Sequence, residues 1–192
     1  CNGLCNGDAE VTAGGGTVPY TYTWSNLDAD TLADSLCANI LYNVTVTDSM
    51  GCSAVDSVIL SEPNVLTATI TDSTNISCNG LCNGNATVTT TGGTPPYTYV
   101  WSNLDSDTIA DTLCANTQFN VTVTDGLGCQ AFDSVTLSEP LLLSVFISDS
   151  SNISCNGLCD GTATGSATGG TVPYTYLWDN SGADTDSLAD SL

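Results

Sequence analysis

The chain has 192 residues and a mass of 19.6 kDa, with 21 Asp plus Glu, no Lys, no Arg and no His, for a formal charge of −21. Those three zeros exclude Ser-His-Asp and Cys-His catalysis, Schiff-base chemistry and phosphate-binding P-loops. Nothing is left to neutralise phosphates, which argues against nucleic acid and against insertion at anionic membranes.

The composition is still that of a folded chain, because 41% hydrophobic residues supply apolar surface to offset the entropy of ordering. No run of 18 apolar residues occurs, so no spanning helix is predicted. No signal peptide is visible, and the start at Cys1 reads as a window from a longer protein. The string CNGLC begins at Cys1, Cys78 and Cys155, a period of 77 residues. Residues 1–77 and 78–154 align without gaps, with 53 of 77 positions identical. The third copy runs to Leu192 and carries two extra residues after Trp178. The period is too long for a solenoid unit of about 20–50 residues and suits a small β domain. Ser-Glu-Pro recurs at Ser61–Pro63 and Ser138–Pro140, and proline closes strands. The joints are placed there: 1–63 lacks its first strand, 64–140 is complete, and 141–192 is truncated at its C-terminus.

Within the complete copy, Val65–Ile70 (like Leu142–Ile147 in the next) is a largely apolar first strand. Asn85–Thr91 is β-branched and alternating, a second strand. Gly92-Gly93 breaks it and Pro95-Pro96 stiffens the turn. Tyr97, Tyr99 and Trp101 follow at period two, repeated as Tyr20, Tyr22, Trp24 and Tyr174, Tyr176, Trp178. That stripe reads as sandwich core, with a sugar-stacking platform as the rival. Phe119–Asp125 puts Val121 and Val123 on one face, and Ala131–Leu137 closes the copy. No stretch combines helical period with caps and length. The predicted fold is all-β: tandem immunoglobulin-like Greek-key β-sandwich repeats of 77 residues, stapled by disulfides.

Ten cysteines sit at repeated offsets: Cys1, Cys5, Cys37 and Cys52, then Cys78, Cys82, Cys114 and Cys129, then Cys155 and Cys159. An even count at fixed offsets in a small β domain points to disulfides and an oxidising compartment. A four-thiolate zinc site is the rival, but Cys37 and Cys52 are too far apart in sequence for a second knuckle. Nesting favours Cys1–Cys52 with Cys5–Cys37, and Cys78–Cys129 with Cys82–Cys114. Cys1–Cys37 with Cys5–Cys52 stays open.

The string CNG…GGTPPYTYVWSN…FNVTVTDGLGC…VTLSEP resembles the SprB repeat, which recurs in giant cell-surface adhesins of Bacteroidota, including a gliding-motility adhesin. The resemblance covers essentially the whole chain. It implies secretion, through the type IX system, and display at the cell surface. Members commonly carry a first Cys and a late Gly-Cys, here Cys1 with Cys52 and Cys78 with Cys129. Cys5 and Cys37 are an addition to that pattern.

Asp-(Ser/Thr)-(aliphatic or Thr) occurs with hydroxyls at Thr31, Ser35, Ser49, Ser57, Ser73, Thr108, Thr112, Ser134, Ser187 and Ser191. This resembles the O-glycosylation motif of Bacteroidota, so covalent glycans are expected there; turn chemistry is the plainer reading. Asp28, Asp30 and Asp34 recur as Asp105, Asp107 and Asp111. Clustered carboxylates can ligate Ca²⁺, although the spacing is not an EF-hand. No other cofactor is expected. The three glutamates, Glu10, Glu62 and Glu139, form no repeated carboxylate pair of the glycosidase kind. The expected function is a non-enzymatic stalk or shaft of an extracellular, cell-surface adhesin or filament. Its partners are neighbouring repeats of the same chain and other copies in a filament, with any surface or polysaccharide ligand gripped by other parts of the parent protein. The alternative is a glycan- or surface-binding module with Ca-binding loops.

Overall fold

Apolar side chains at every second position commit these segments to strands with one face turned inward. A computed structural model describes residues 1–179 and 184–190, and among them every regular element is a strand. The first repeat contains β1 (Gly7–Glu10), β2 (Thr21–Trp24), β3 (Leu32–Leu36), β4 (Leu41–Thr47) and β5 (Ser53–Ile59). The second contains β6 (Thr67–Thr74), β7 (Gly84–Thr91), β8 (Thr98–Trp101), β9 (Ile109–Leu113), β10 (Gln118–Thr124) and β11 (Gln130–Thr136). The third contains β12 (Ser144–Ser151), β13 (Thr162–Thr168) and β14 (Leu188–Ala189).

The second repeat forms two three-stranded sheets, β6-β7-β9 and β8-β10-β11. Only the β6–β7 and β10–β11 connections stay within a sheet; the others cross between sheets. This is the immunoglobulin-like Greek key, A-B-E against C-F-G, with no strand in the D position. The first repeat has β1-β3 and β2-β4-β5, the same plan without a partner in the position of β6. The third shows β12-β13-β14, the A-B-E sheet.

In the first repeat Trp24, Ala33, Leu36, Tyr42 and Val44 form one buried cluster drawn from both sheets, flanked by Ala9, Val11, Val46, Val58 and Leu60. The second repeat buries the matching Trp101, Ala110, Leu113, Phe119 and Val121, and also Ala86, Val88 and Val123. Each buried Trp needs a partner for its indole N–H. Trp24 donates to the Asp30 carbonyl and Trp101 to that of Asp107, each at 3.0 Å. The stripe is therefore core at the Trp, with Tyr22 and Tyr99 half-buried.

Two strand readings change. The first strand runs Thr67–Thr74, not Val65–Ile70. A strand with no clean alternation, Ile109–Leu113, lies where the sequence reads as an acidic loop. Its register against β7 shifts between Gly84 and Ala86, and Thr112 at the irregularity has φ +60°. That bulge interrupts the period-two signal.

Candidate functional site at the repeat joint

Residues Cys1–Ala68 form one compact unit with Thr90–Thr98 and Val123–Ala131; Thr69–Thr89, Tyr99–Thr122 and Phe132–Leu192 form another. The first unit holds a complete joint. On one side lies the CNGLC turn of the first repeat. The amide of Gly3 donates to the Glu62 carboxylate at 2.5 Å, and Asn2 Nδ2 donates to the Pro63 carbonyl at 3.0 Å. The second repeat reproduces both bonds, Gly80 to Glu139 at 2.6 Å and Asn79 to the Pro140 carbonyl at 3.1 Å. The Glu of Ser-Glu-Pro thus fastens the CNG turn to the chain leaving the sandwich. The sequence marks it only as a neighbour of proline.

On the other side lie the β7–β8 and β10–β11 loops. Asp125 is buried, and its carboxylate accepts the amides of Thr94 (2.9 Å), Leu127 (2.9 Å) and Cys129 (2.8 Å). Burial works against its charge, but the amides of Thr94, Cys129 and Leu127 outweigh it and hold the carboxyl below its usual range. Asp48 does the same in the first repeat; the amides of Thr17, Cys52 and Met50 lower its pKa. In the third repeat the Ser154 hydroxyl and amide lower Asp160. The sequence signal for Asp48 and Asp125 is the Asp-x-x-Gly-Cys turn, where Asp favours bonds to amides just ahead.

A disulfide joins the two sides. Cys1 is bonded to Cys129, with Cα atoms 5.4 Å apart and a sequence separation of 128. This corrects the expected Cys1–Cys52 and Cys78–Cys129 pairs; Cys52 and Cys78 are exposed free thiols. The reason is geometric. Cys52 precedes β5, while Cys1 sits by Glu62 beyond its far end. Seven strand residues span about 20 Å, far beyond disulfide reach. The first cysteine meets the late cysteine of the following repeat instead. Cys5–Cys37 and Cys82–Cys114 are also bonded, each with a separation of 32. The ladder explains them: Gly7 faces Leu36 and Gly84 faces Leu113, which brings the adjoining cysteines side by side. Cys155 and Cys159 are free and exposed.

The Asp cluster is not brought together as a metal site. Among the described residues no three acidic or thiol groups are placed to hold a metal ion. Asp28 instead organises its own turn, accepting Asn26 Nδ2 at 2.6 Å and the Asp34 amide at 3.1 Å. Asp105 repeats this with Asn103 and Asp111. Asp30 and Asp107 contribute their carbonyls to the tryptophans, and Asp34 and Asp111 lie on strands β3 and β9. Of the Asp-(Ser/Thr) hydroxyl residues, Thr31, Ser35, Ser49, Ser57, Ser73, Thr108, Thr112, Ser134 and Ser187 are exposed, and Ser191 lies outside the described residues.

The SprB repeat family matches residues 1–29, 70–106 and 147–183, more than half of the chain. The chain belongs to the SprB repeat family. Its three matches each end just past the Tyr-x-Tyr-x-Trp string, in step with the 77-residue period. A comparison with curated proteins finds no match. Among solved structures, the N-terminal eight immunoglobulin domains of Down Syndrome Cell Adhesion Molecule isoform 1.30.30 align at 12% identity and a TM-score of 0.34, over 88% of the SprB chain. The SprB chain spans 28% of that chain. The immunoglobulin-like assignment of the SprB repeats rests on their own strand order.

Proposed function

We propose that these SprB repeats are the load-bearing shaft of a secreted, glycosylated cell-surface adhesin or extracellular filament. The beads are 77 residues long and joined at Ser61–Pro63 and Ser138–Pro140. The observation that carries the reading is the Cys1–Cys129 bond, which ties one repeat to the next. A catalytic or binding module has no need of a covalent tie across its joint; a shaft under tension does. Exposed Asp-(Ser/Thr) sites around the strands suit a glycan coat, and disulfides suit an oxidising extracellular setting. The absence of Lys and Arg leaves trypsin-like proteases no site. The polar groups of the joint bind one another, which suits a spacer better than a ligand-binding cleft.

Single-molecule pulling between the chain ends tests the reading. With disulfides intact, residues 1–129 should give no extension, because the Cys1–Cys129 bond carries the force. Easy extension of that region in oxidised protein would reject a load-bearing role, as would selective glycan binding by the unmodified repeats on an array.

A further inference from the structure

In the second repeat, the outer face of the β8-β10-β11 sheet carries no charge. Its outward positions hold only Thr, Ser, Asn, Gln, Val and Phe. The one carboxylate on these strands, Asp133, turns to the opposite face and accepts the Ile70 amide at 2.6 Å. The Ser102 amide donates to the Asn120 carbonyl at 2.9 Å, and that register sets Val100 beside Thr122. Phe132 completes the row from β11. It is 66% exposed, and Val100 is exposed too.

The first repeat has the same face. Thr23 pairs with Thr45 and Thr45 with Val55, the counterparts of Val100, Thr122 and Phe132. Two outward rows along, Leu41 pairs with Ile59. Val55, Ile59 and Leu41 are exposed. No carboxylate stands among them, because Asp56 alternates to the other face with Val58. The second sheet of each repeat is different: β1 carries Asp8 and Glu10, β3 Asp34, β6 Asp72 and β9 Asp111.

We propose that this uncharged face is where two copies of the chain pack side by side, sheet against sheet. With a net charge of −21, acidic surfaces repel their own copies. The β8-β10-β11 face and its counterpart let two copies meet without setting carboxylate against carboxylate. The exposed apolar row gains from being covered. The face also returns at the 77-residue period, and another copy has that same period. One face is small. Three strands about 4.8 Å apart and about 20 Å long fall below the roughly 800 Å² per partner of a stable interface. A single pair of beads therefore associates weakly, and strength grows with the number of beads paired. The pairing adds to the shaft reading without resting on it, because an unpaired shaft still carries force through Cys1–Cys129. It also requires bare hydroxyls at Ser57 and Ser134, which lie on the face.

The test uses the oxidised full chain with its free thiols blocked. Sedimentation equilibrium at millimolar concentration should show a monomer–dimer equilibrium. Association should tighten at least about tenfold between about 0.02 M and about 0.5 M NaCl, as screening removes the repulsion. Concentration-dependent amide shifts should map to β4, β5, β10 and β11. The double variant Val55→Asp, Phe132→Asp should keep the fold, since both side chains are exposed, yet lose the association. The control Leu32→Asp, Ile109→Asp adds the same charge at exposed positions on the other sheet and should retain it. A monomer at every salt concentration overturns the proposal, as does undiminished association of the first variant or equal loss in the control. A glycan mapped to Ser57 or Ser134 of the native protein overturns it too. Binding of dextran by a chain that stays monomeric would give the face to a sugar and likewise overturn it.

Discussion

At the scale of single residues, the carboxylates that matter are those turned toward backbone amides. Asp48 and Asp125 each gather three amides, and their pKa values lie below the ordinary 3.8. The folded state therefore binds fewer protons than the unfolded chain as pH falls through this range. Their contribution is present above about pH 3.8 and lost as pH drops through the lowered folded values. Melting temperature measured from pH 7 to pH 2 should fall below pH 4, and Asp125→Asn should flatten that fall. Trp101 is the other decisive residue. It is 1% exposed and donates to the Asp107 carbonyl. Trp101→Ala should cost about 3–5 kcal/mol in denaturant unfolding, whereas Leu104→Ala, at 89% exposure, should stay within about 0.5 kcal/mol.

At the scale of elements, strands with clean alternation are legible and the bulged strand is not. Phe119–Asp125 matches β10 to within a residue, with Val121 and Val123 fully buried as the alternation requires. β9 is invisible because Asp111 and Thr112 sit at its bulge and break the period. The same error turns Asp34 and Asp111 into candidate loop ligands when they are strand residues. The Gly92 turn shows a different kind of constraint. Its φ is +68°, and Val65 occupies the space a side chain would need. Gly92→Val should destabilise the second repeat strongly by both routes, strain and collision. Gly128→Ala, with φ +80° but nothing within 4 Å, should show the strain alone. Comparing the two by denaturant unfolding separates the terms.

At the scale of the whole molecule, the disulfides decide how the chain responds to force. The Cys1–Cys129 bond closes 128 residues and each short bond closes 32. In the chain-entropy account the long bond contributes about 5 kcal/mol and each short one about 4. Complete reduction should release about 430 Å of chain on pulling, at about 3.4 Å per residue over the 128 residues. Cys129→Ser, which keeps both short loops closed, should release about half as much. Equal extension of oxidised wild type and Cys129→Ser would show that Cys129 carries no load.

The sequence by itself determines the period, the all-β class, the family, the buried Trp and the absence of basic chemistry. Each of these is local or compositional: a strand's alternation, a repeated string, a missing residue type. Only the tertiary structure decides that Cys1 pairs with Cys129 and that Glu62 clamps the CNG turn. Repeats carry their cysteines at identical offsets, so spacing cannot tell a bond within a bead from a bond between beads. The length of a strand makes that choice, because it sets which ends can touch.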